Sequence, residues 1–412
     1  MADLTPLAEE FGTPLFVCDA RLLRMRIAEL SAAFSAYGEF RPYFSLKANA
    51  SLAIAATMRA AGVGLDVSSL GEARVALAAG CPLSRISATG FGFSEDEITE
   101  LARLGIPFIA DSIAQIACYG AVRPAVRTIG LRMNPGVGYD PRGLCVGGGA
   151  ESPFGIGLDA LDVAVRKADE AGLRVNQLHF HVGSGNSDPE LYLAALDNVI
   201  ETCVGRISPG VINIGGGFAW PVFPWAQPMD IGLLGKRASA RIDALARQLG
   251  HPVELRVEPG EFLVGPAVSL LTKVLSIKQV TDGRPGQPGA RCFVGVDTST
   301  AHVPALMNYG GCGQVRCVEK EDCTDPTRLY RIVGNLNQSA DVLAKDRELP
   351  PLEVGDLLII EKVGAYAMTR ASWFNGRGRP AEVLVDGCRV ALVREREEPD
   401  ELLRGQLLPP WL

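Results

Sequence analysis

The chain has 412 residues, of which 47% are hydrophobic and 21% charged, with a net charge of −7. At about 100–200 residues per domain this means two or three domains, or one large barrel with an attachment, and the apolar content excludes a disordered chain. The acidic balance argues against a general nucleic-acid binder, which is usually basic, and no apolar run approaches the ~20 residues needed to cross a bilayer.

The start, MADLTPLAEE, has neither a basic region nor an apolar stretch. No secretory signal is expected from it, and the location implied is the cytoplasm. PLFVCD follows, a short run that reads as a strand able to serve either domain, and then a helix over about 20–34. From residue 41 to about 260, short apolar runs ending in polar or glycine residues alternate with stretches rich in Ala, Leu and Glu. Strands are expected at 43–47, 63–68, 85–89, 107–111, 128–133, 175–182, 211–215 and 253–258. Helices are clearest at 52–61, 71–79, 95–104, 158–171, 191–204 and 232–249. Eight strands alternating with helices predict an α/β fold, a (β/α)8 TIM barrel over 25–264, in preference to an open doubly wound sheet.

After about residue 265 the long helical patterns stop. Short alternating runs at 268–274, 291–296, 328–333, 356–361 and 381–385 are separated by turns such as DGRPGQPG at 282–289. These predict a C-terminal β-domain over 265–412, joined by residues 1–24. Gly147, Gly148 and Gly149 fall in an expected loop, and neither a repeat nor a low-complexity tract is present. The ten cysteines include no C-x-x-C pair. Cys312, Cys317 and Cys323 lie close together without a second ligand cluster, so they read as reduced thiols and no metal is expected. There are only four histidines, His179, His181, His251 and His302.

Active sites of such barrels form at the C-terminal ends of the strands. Those ends carry Lys47, then Asp66 and Ser68, then Arg132 and Asn134, then His179, His181 and Ser184, then Gly215, Gly216 and Gly217, and last Glu258. A lone surface lysine or a lone GGG says little; their coincidence at successive strand ends says more. Gly215–Gly217 can bring backbone N–H groups close to a phosphate, and Ser184 can add a hydroxyl donor. Lys47, if partly buried, can lose its proton and form a Schiff base with an aldehyde. Glu258 can hold a ring nitrogen protonated, and His181 can lie flat on a ring. Together these parts describe a site for pyridoxal 5'-phosphate.

YFSLKANA, LHFHVGSG, INIGGGF, VEPGE, GNLNQSAD and GAYAMTRASWFNG, in that order along nearly the whole chain, resemble the motif series of the fold-type III pyridoxal-phosphate decarboxylases. Diaminopimelate, ornithine and arginine decarboxylases belong to that group. The stretch GGGFAWPVFPWAQPMDIG is nearest to diaminopimelate-decarboxylase-like enzymes of secondary metabolism, of siderophore or antibiotic type. The resemblance implies an alanine racemase-like barrel plus a β-domain, a small amino-acid substrate, and a homodimer with shared active sites, with no nucleic-acid or membrane partner. It implies that Lys47 carries the cofactor and His181 stacks on its ring. Ser184, Gly215–Gly217 and Tyr366 would hold the phosphate, Glu258 would pair with the ring nitrogen, and Arg132 and Asp66 would support lysine and ring. GNLNQSAD of one subunit would reach the other's site, with Asp341 as the matching carboxylate and Asn375 in the matching FNG.

The departures are specific. The family's catalytic cysteine and the acidic residue after it are here Asn337 and Gln338. Asn cannot act as an acid at neutral pH, so water, another donor (His302, Cys312 or Tyr366), or another fate for the carbanion is required. EPGR is EPGE, so Glu261 replaces an arginine, and R-P-A-L-Y is Val303-Pro304-Ala305-Leu306-Met307. Both arginines expected to clamp a distal carboxylate are missing, which argues against diaminopimelate as substrate, because a buried unpaired carboxylate is costly. Glu261 either receives a cationic substrate group or forms a local salt bridge with Arg256. The basic residue usual before F-G is replaced in Ser152-Pro153-Phe154-Gly155, so the loop from Gly136 to Glu151 is expected to be unusual, and its Arg142 either reaches substrate or is solvated. The leading expectation is an amino-acid decarboxylase with substrate contacts from Glu261, His302, Gln338, Asp341 and Asn375. A racemase or epimerase is the alternative, though alanine racemase-like enzymes place an arginine where Glu258 stands. Decarboxylation with oxidation or C–C bond formation also stays open, and a cofactor-carrier protein is disfavoured by the β-domain.

Overall fold

The computed structural model describes residues 4–139, 146–221, 227–280, 291–308, 313–320 and 326–412. Arg142, Cys312, Cys323, part of the GGGFAWPVFPWAQPMDIG stretch and the DGRPGQPG turn lie outside them. The chain divides into two compact units, Leu22–Leu263 and Met1–Arg21 with Val264–Leu412.

The first unit is a closed barrel. Its strands are β2 (Phe40–Ser45), β3 (Gly64–Val67), β4 (Ile86–Thr89), β5 (Phe108–Ala110), β6 (Thr128–Asn134), β8 (Arg174–His179), β9 (Val211–Asn213) and β10 (Glu254–Val257). The order β5-β4-β3-β2-β10-β9-β8-β6 is closed by β5 pairing with β6, and every pair is parallel. A two-residue strand, β7 (Ile156–Gly157), pairs with β6 outside the ring. Strands β3, β4 and β5 are buried at every position, as parallel strands covered on both faces must be.

The covering helices follow local chemistry. Glu95–Leu104 opens with a Ser94/Glu97 capping box, carries three acidic residues in its first turn, and ends at left-handed Gly105. Ile98, Leu101 and Ala102 form its buried stripe. The helix Ile113–Ala121 was not among the clearest in the sequence. Its residues IAQIACYGA present no charged face, so the amphipathic period is weak, and only the Ser112 cap marks its start. Two strands end clearly earlier than expected at the site: β2 stops at Ser45, leaving Lys47 in a 3-10 turn, Leu46–Ala48, and β8 stops at His179, leaving His181 beyond it.

The second unit is a nine-stranded sheet. β1 (Leu15–Asp19), the PLFVCD strand, pairs antiparallel with β11 (Val268–Val280) and parallel with β17 (Ala381–Asp386), which settles its place in this unit. β12 (Arg291–Val296), β14 (Arg328–Val333) and β15 (Val342–Leu349) extend one side, and β18 (Arg389–Arg394) the other. β16 (Leu357–Glu361) pairs with β11 and with β13 (Gln314–Cys317). Leu15, Val17, Leu271, Leu357, Ile359, Ala381 and Val383 form a core, capped by Leu4 and Leu7 next to or within an unexpected short helix, Thr5–Phe11. Three strands escaped the sequence reading. β15 reads VLAKDREL and β18 RVALVR, both charged and partly exposed, and β13 is only four residues long. Among the described residues no helix is long and apolar enough to cross a membrane, and no group of three or more metal-ligating side chains occurs.

Candidate active site

Three neighbouring strand ends build the most constrained part of the barrel. His179 closes β8, Asn213 closes β9 directly opposite it in register, and Glu258 follows β10. His179 Nε2 lies 2.6 Å from Glu258 Oε1, and Asn213 Nδ2 donates to Glu258 Oε2 at 2.9 Å. A carboxylate can only accept, so His179 carries its hydrogen on Nε2. All three side chains are buried. Burial alone would raise the Glu258 carboxyl, but His179, the Asn213 hydrogen bond and the Lys47 charge outweigh it and hold the group ionised, below its usual range.

Asp66, on β3, is the opposite case. Ser45 Oγ donates to its Oδ2 at 2.9 Å, while its buried Oδ1 has no partner. Burial, then the nearby Glu258 charge, pushes its pKa well up against the pull of Lys47. Two carboxyl groups in one mouth are thus driven apart, Glu258 downward and Asp66 upward. Lys47 acts electrostatically on Asp66, Glu72, His181 and Glu258. Its side chain is exposed.

His181 is walled by glycines. A Cβ on Gly147 would sit 2.7 Å from its Cδ2, one on Gly215 3.0 Å from its Nδ1, and one on Gly217 3.0 Å from its Cε1. Burial, then the charges of Lys47 and Arg132, keeps this imidazole well below its ordinary pKa and neutral. The same contacts revise the reason for the GGG turn. A Cβ on Gly216 would meet the Glu258 carbonyl oxygen at 2.4 Å, and one on Gly217 the Gly183 carbonyl oxygen at 1.9 Å. Gly215 and Gly217 also have φ of +73° and +87°. The protein's own backbone therefore demands glycine at all three positions, whatever else the turn binds. Ser184 sits in the bend after β8, between Gly183 and Gly185.

Arg132, on β6, places Nη1 3.4 Å from Asp111 and its guanidinium 4.5 Å from the centre of the Phe154 ring. Its buried Nε has no partner. Phe154 thus gives the variant Ser152–Gly155 segment a packing role. Arg256, considered for Glu261, sends Nε to Glu254 at 2.5 Å and Nη1 to Gln177 at 3.2 Å. Glu261 opens the short helix Glu261–Val264. Asn213, Asp111 and Gly147 were not singled out as site residues from sequence. The one available signal was the asparagine two residues before Gly215.

The remaining residues gather in the β-unit. The backbone N–H of Asn337 donates to Asn375 Oδ1 at 2.8 Å, and Asn337, Gln338 and Asn375 are exposed. Asn375 and Tyr366 both have left-handed φ, +57° each. Asp341 is buried and accepts from Thr300 N (2.7 Å), Thr300 Oγ1 (2.8 Å) and Leu336 N (2.9 Å), so its carboxylate ties its loop to the Thr300 segment. His302 is buried, with Thr298 Oγ1 3.0 Å from Nδ1 and the Gly378 carbonyl oxygen 3.1 Å from Nε2. Burial pushes it down to about 4. Both nitrogens of the neutral imidazole are thus engaged within the protein.

Comparison with known proteins agrees with this architecture. Residues 23–265 match the family of pyridoxal-dependent decarboxylases, pyridoxal binding domain. The chain is 35% identical over 422 residues to a diaminopimelate decarboxylase of Methanothermobacter thermautotrophicus, covering all of this chain and 95% of that protein. It is 31% identical over 425 residues to that of Escherichia coli K12, covering 98% and 96%. A crystal structure of diaminopimelate decarboxylase from M. jannaschii in complex with L-lysine superposes with a TM-score of 0.87 at 29% identity, covering 99% of this chain and 95% of that one.

Proposed function

The chain belongs to the fold-type III pyridoxal-dependent decarboxylases of the diaminopimelate and ornithine type and is a carboxy-lyase using pyridoxal phosphate, and on that premise we propose that it decarboxylates an amino acid, free or conjugated, other than diaminopimelate. The observation that carries the reading is Glu258, a buried carboxylate kept ionised by two donors. Such an anion suits a protonated ring nitrogen, and bound pyridoxal phosphate supplies the electron sink that accepts the pair left as carbon dioxide departs.

The residues fit that group. Asp66 Oδ1 and Arg132 Nε are buried polar atoms without protein partners, and the neutral His181 ring is locked in place by glycines. Lys47 would hold the aldehyde carbon, Glu258 the ring nitrogen, and His181 the ring face. Ser184, Gly215–Gly217 and Tyr366 would hold the phosphate, with Arg132 and Asp66 flanking lysine and ring. Asn337 cannot deliver a proton to the α-carbon, and His302 is neutral, so water or another group does so.

The substrate reading is supported by Glu261 and Val303, which stand where two arginines would clamp a distal carboxylate. Glu261 would face a cationic group, Gln338 and Asn375 neutral polar ones. A homodimer that shares its sites through the GNLNQSAD loop, and a place in siderophore- or antibiotic-type secondary metabolism, belong to the same proposal. The second reading is diaminopimelate itself, favoured by the 35% identity along the whole chain.

The test offers the loaded enzyme L- and D-ornithine, lysine, arginine, diaminopropionate and diaminopimelate in D2O, with products weighed by mass spectrometry. The expected product has lost carbon dioxide, gained one carbon-bound deuterium, and comes from a substrate without a distal carboxylate. The highest kcat/KM for diaminopimelate would establish the second reading. Deuterium gained with the carboxylate retained would make the protein a racemase and overturn both.

A further inference from the structure

We propose that His179 and Asn213 are positioning residues that fix the Glu258 carboxylate in a single orientation toward the cofactor's ring nitrogen, and that Asn213 locks this orientation to the glycine turn. The inference rests on the assignment of Glu258 above and adds the machinery behind it.

The clamp is written into strand register. His179 and Asn213 are paired positions on β8 and β9, Asn213 pairs with Arg256 on β10, and Glu258 stands two residues further along. Each Glu258 oxygen therefore receives one donor from one neighbouring strand, His179 Nε2 on Oε1 and Asn213 Nδ2 on Oε2. Each oxygen keeps a further lone pair, so the clamp leaves acceptor capacity for a third donor. Asn213 cannot flip its amide. Its Oδ1 accepts the N–H of Gly215 at 2.9 Å, which obliges Nδ2 to face Glu258. The Glu258 N–H in turn donates to the Gly215 carbonyl at 2.9 Å, so turn and carboxylate are tied from both sides. His179 bears a cost in this arrangement: its buried Nδ1 has no partner. An apolar side chain would avoid that cost, and what it would lose is the Nε2 donor.

Asn213→Leu removes the donor facing Glu258 at similar volume and adds no charge, and the acceptor lost to the Gly215 N–H is read in the melting temperature. His179→Phe removes the other donor while filling the space. Both variants and the wild type are loaded with [15N]pyridoxal phosphate, and the ring-nitrogen resonance is followed from pH 6 to 9, with thermal melting alongside. The wild type is expected to stay at the protonated position throughout. Both variants are expected to lose it inside that range, with a deprotonation midpoint at least tenfold higher in proton concentration and weakened cofactor affinity. A merely structural role would lower the melting temperature and leave the nitrogen signal unmoved. Variants protonated to pH 9 beside a protonated wild type would overturn the clamp. A wild-type ring nitrogen that is itself unprotonated would instead overturn the assignment of Glu258.

Discussion

The barrel mouth and the loop cluster of the β-unit both carry suspected functional residues and are built on opposite plans. At the mouth the groups stand on or just beyond strand ends, they are charged or titratable, and their neighbours are backbone atoms at hard contact distance. A Cβ on Gly217 would lie 1.9 Å from the Gly183 carbonyl oxygen. In the β-unit, Asn337, Gln338 and Asn375 are exposed neutral amides, and the two ionisable residues beneath them, Asp341 and His302, are consumed in holding the loop. Chemistry shared across a family suits the first plan, since small displacements of reacting groups are expensive. Choice of substrate suits the second, because exposed loop residues can change without disturbing a core.

The sharpest way to break the comparison is Gly217→Ala. The added methyl meets the Gly183 carbonyl and the His181 ring, on a backbone of φ +87°. A loss of about 4 kcal/mol of stability is expected, read as a shift in urea midpoint, together with weakened cofactor binding. Gly92→Ala, with nothing near its would-be Cβ and no positive φ, should stay within about 0.5 kcal/mol. Equal effects at the two glycines would mean that the mouth is no more rigid than an ordinary loop.

The β-unit answers to pH instead. His302 has a folded pKa of about 4 against 6.5 when free. Above pH 6.5 neither state binds the proton. As pH falls from 6.5 toward 4 the unfolded chain takes it up and the folded chain does not, so stability is lost across that window and the loss is complete below it. The expected total is on the order of 3 kcal/mol, and His302→Asn should remove it from the difference in unfolding free energy between pH 7 and pH 4. An unchanged difference would show that His302 is open to water.

This contrast also explains what the sequence made legible. Barrel strands such as GLDV and ISAT are short uncharged or singly charged runs, buried on both faces and punctuated by capped helices, so their alternation with helices locates them. Strand β15, VLAKDREL, is half polar, and its identity as a strand exists only through its pairing with β14. The same holds within the site. Lys47, His181 and Glu258 were visible because they close or follow apolar runs at the barrel mouth, whereas Asn213 in VINIGGG reads as one polar residue in a strand. Its meaning appears only when register sets it between His179 and Glu258. Asp341 is a case of the same kind: the motif marks the position, while the three hydrogen bonds that its carboxylate accepts from Thr300 and Leu336 appear only in the fold.

The smallest expected effect is the most informative about substrate. Glu261 opens the helix that follows β10 and replaces an arginine of the family pattern. If it faces the distal end of the substrate, Glu261→Arg should raise the ratio of kcat/KM for diaminopimelate over that for lysine or ornithine by about tenfold, roughly 1.4 kcal/mol of discrimination. The ratio is the right quantity because Glu261 also has contacts of its own within the protein, and a partly destabilised variant would lower both rates together. Competition between the two substrates in one reaction cancels the amount of active enzyme and leaves only the choice between charges. An unchanged ratio would place Glu261 among residues that hold the helix and return the question of specificity to the exposed amides of Gln338 and Asn375.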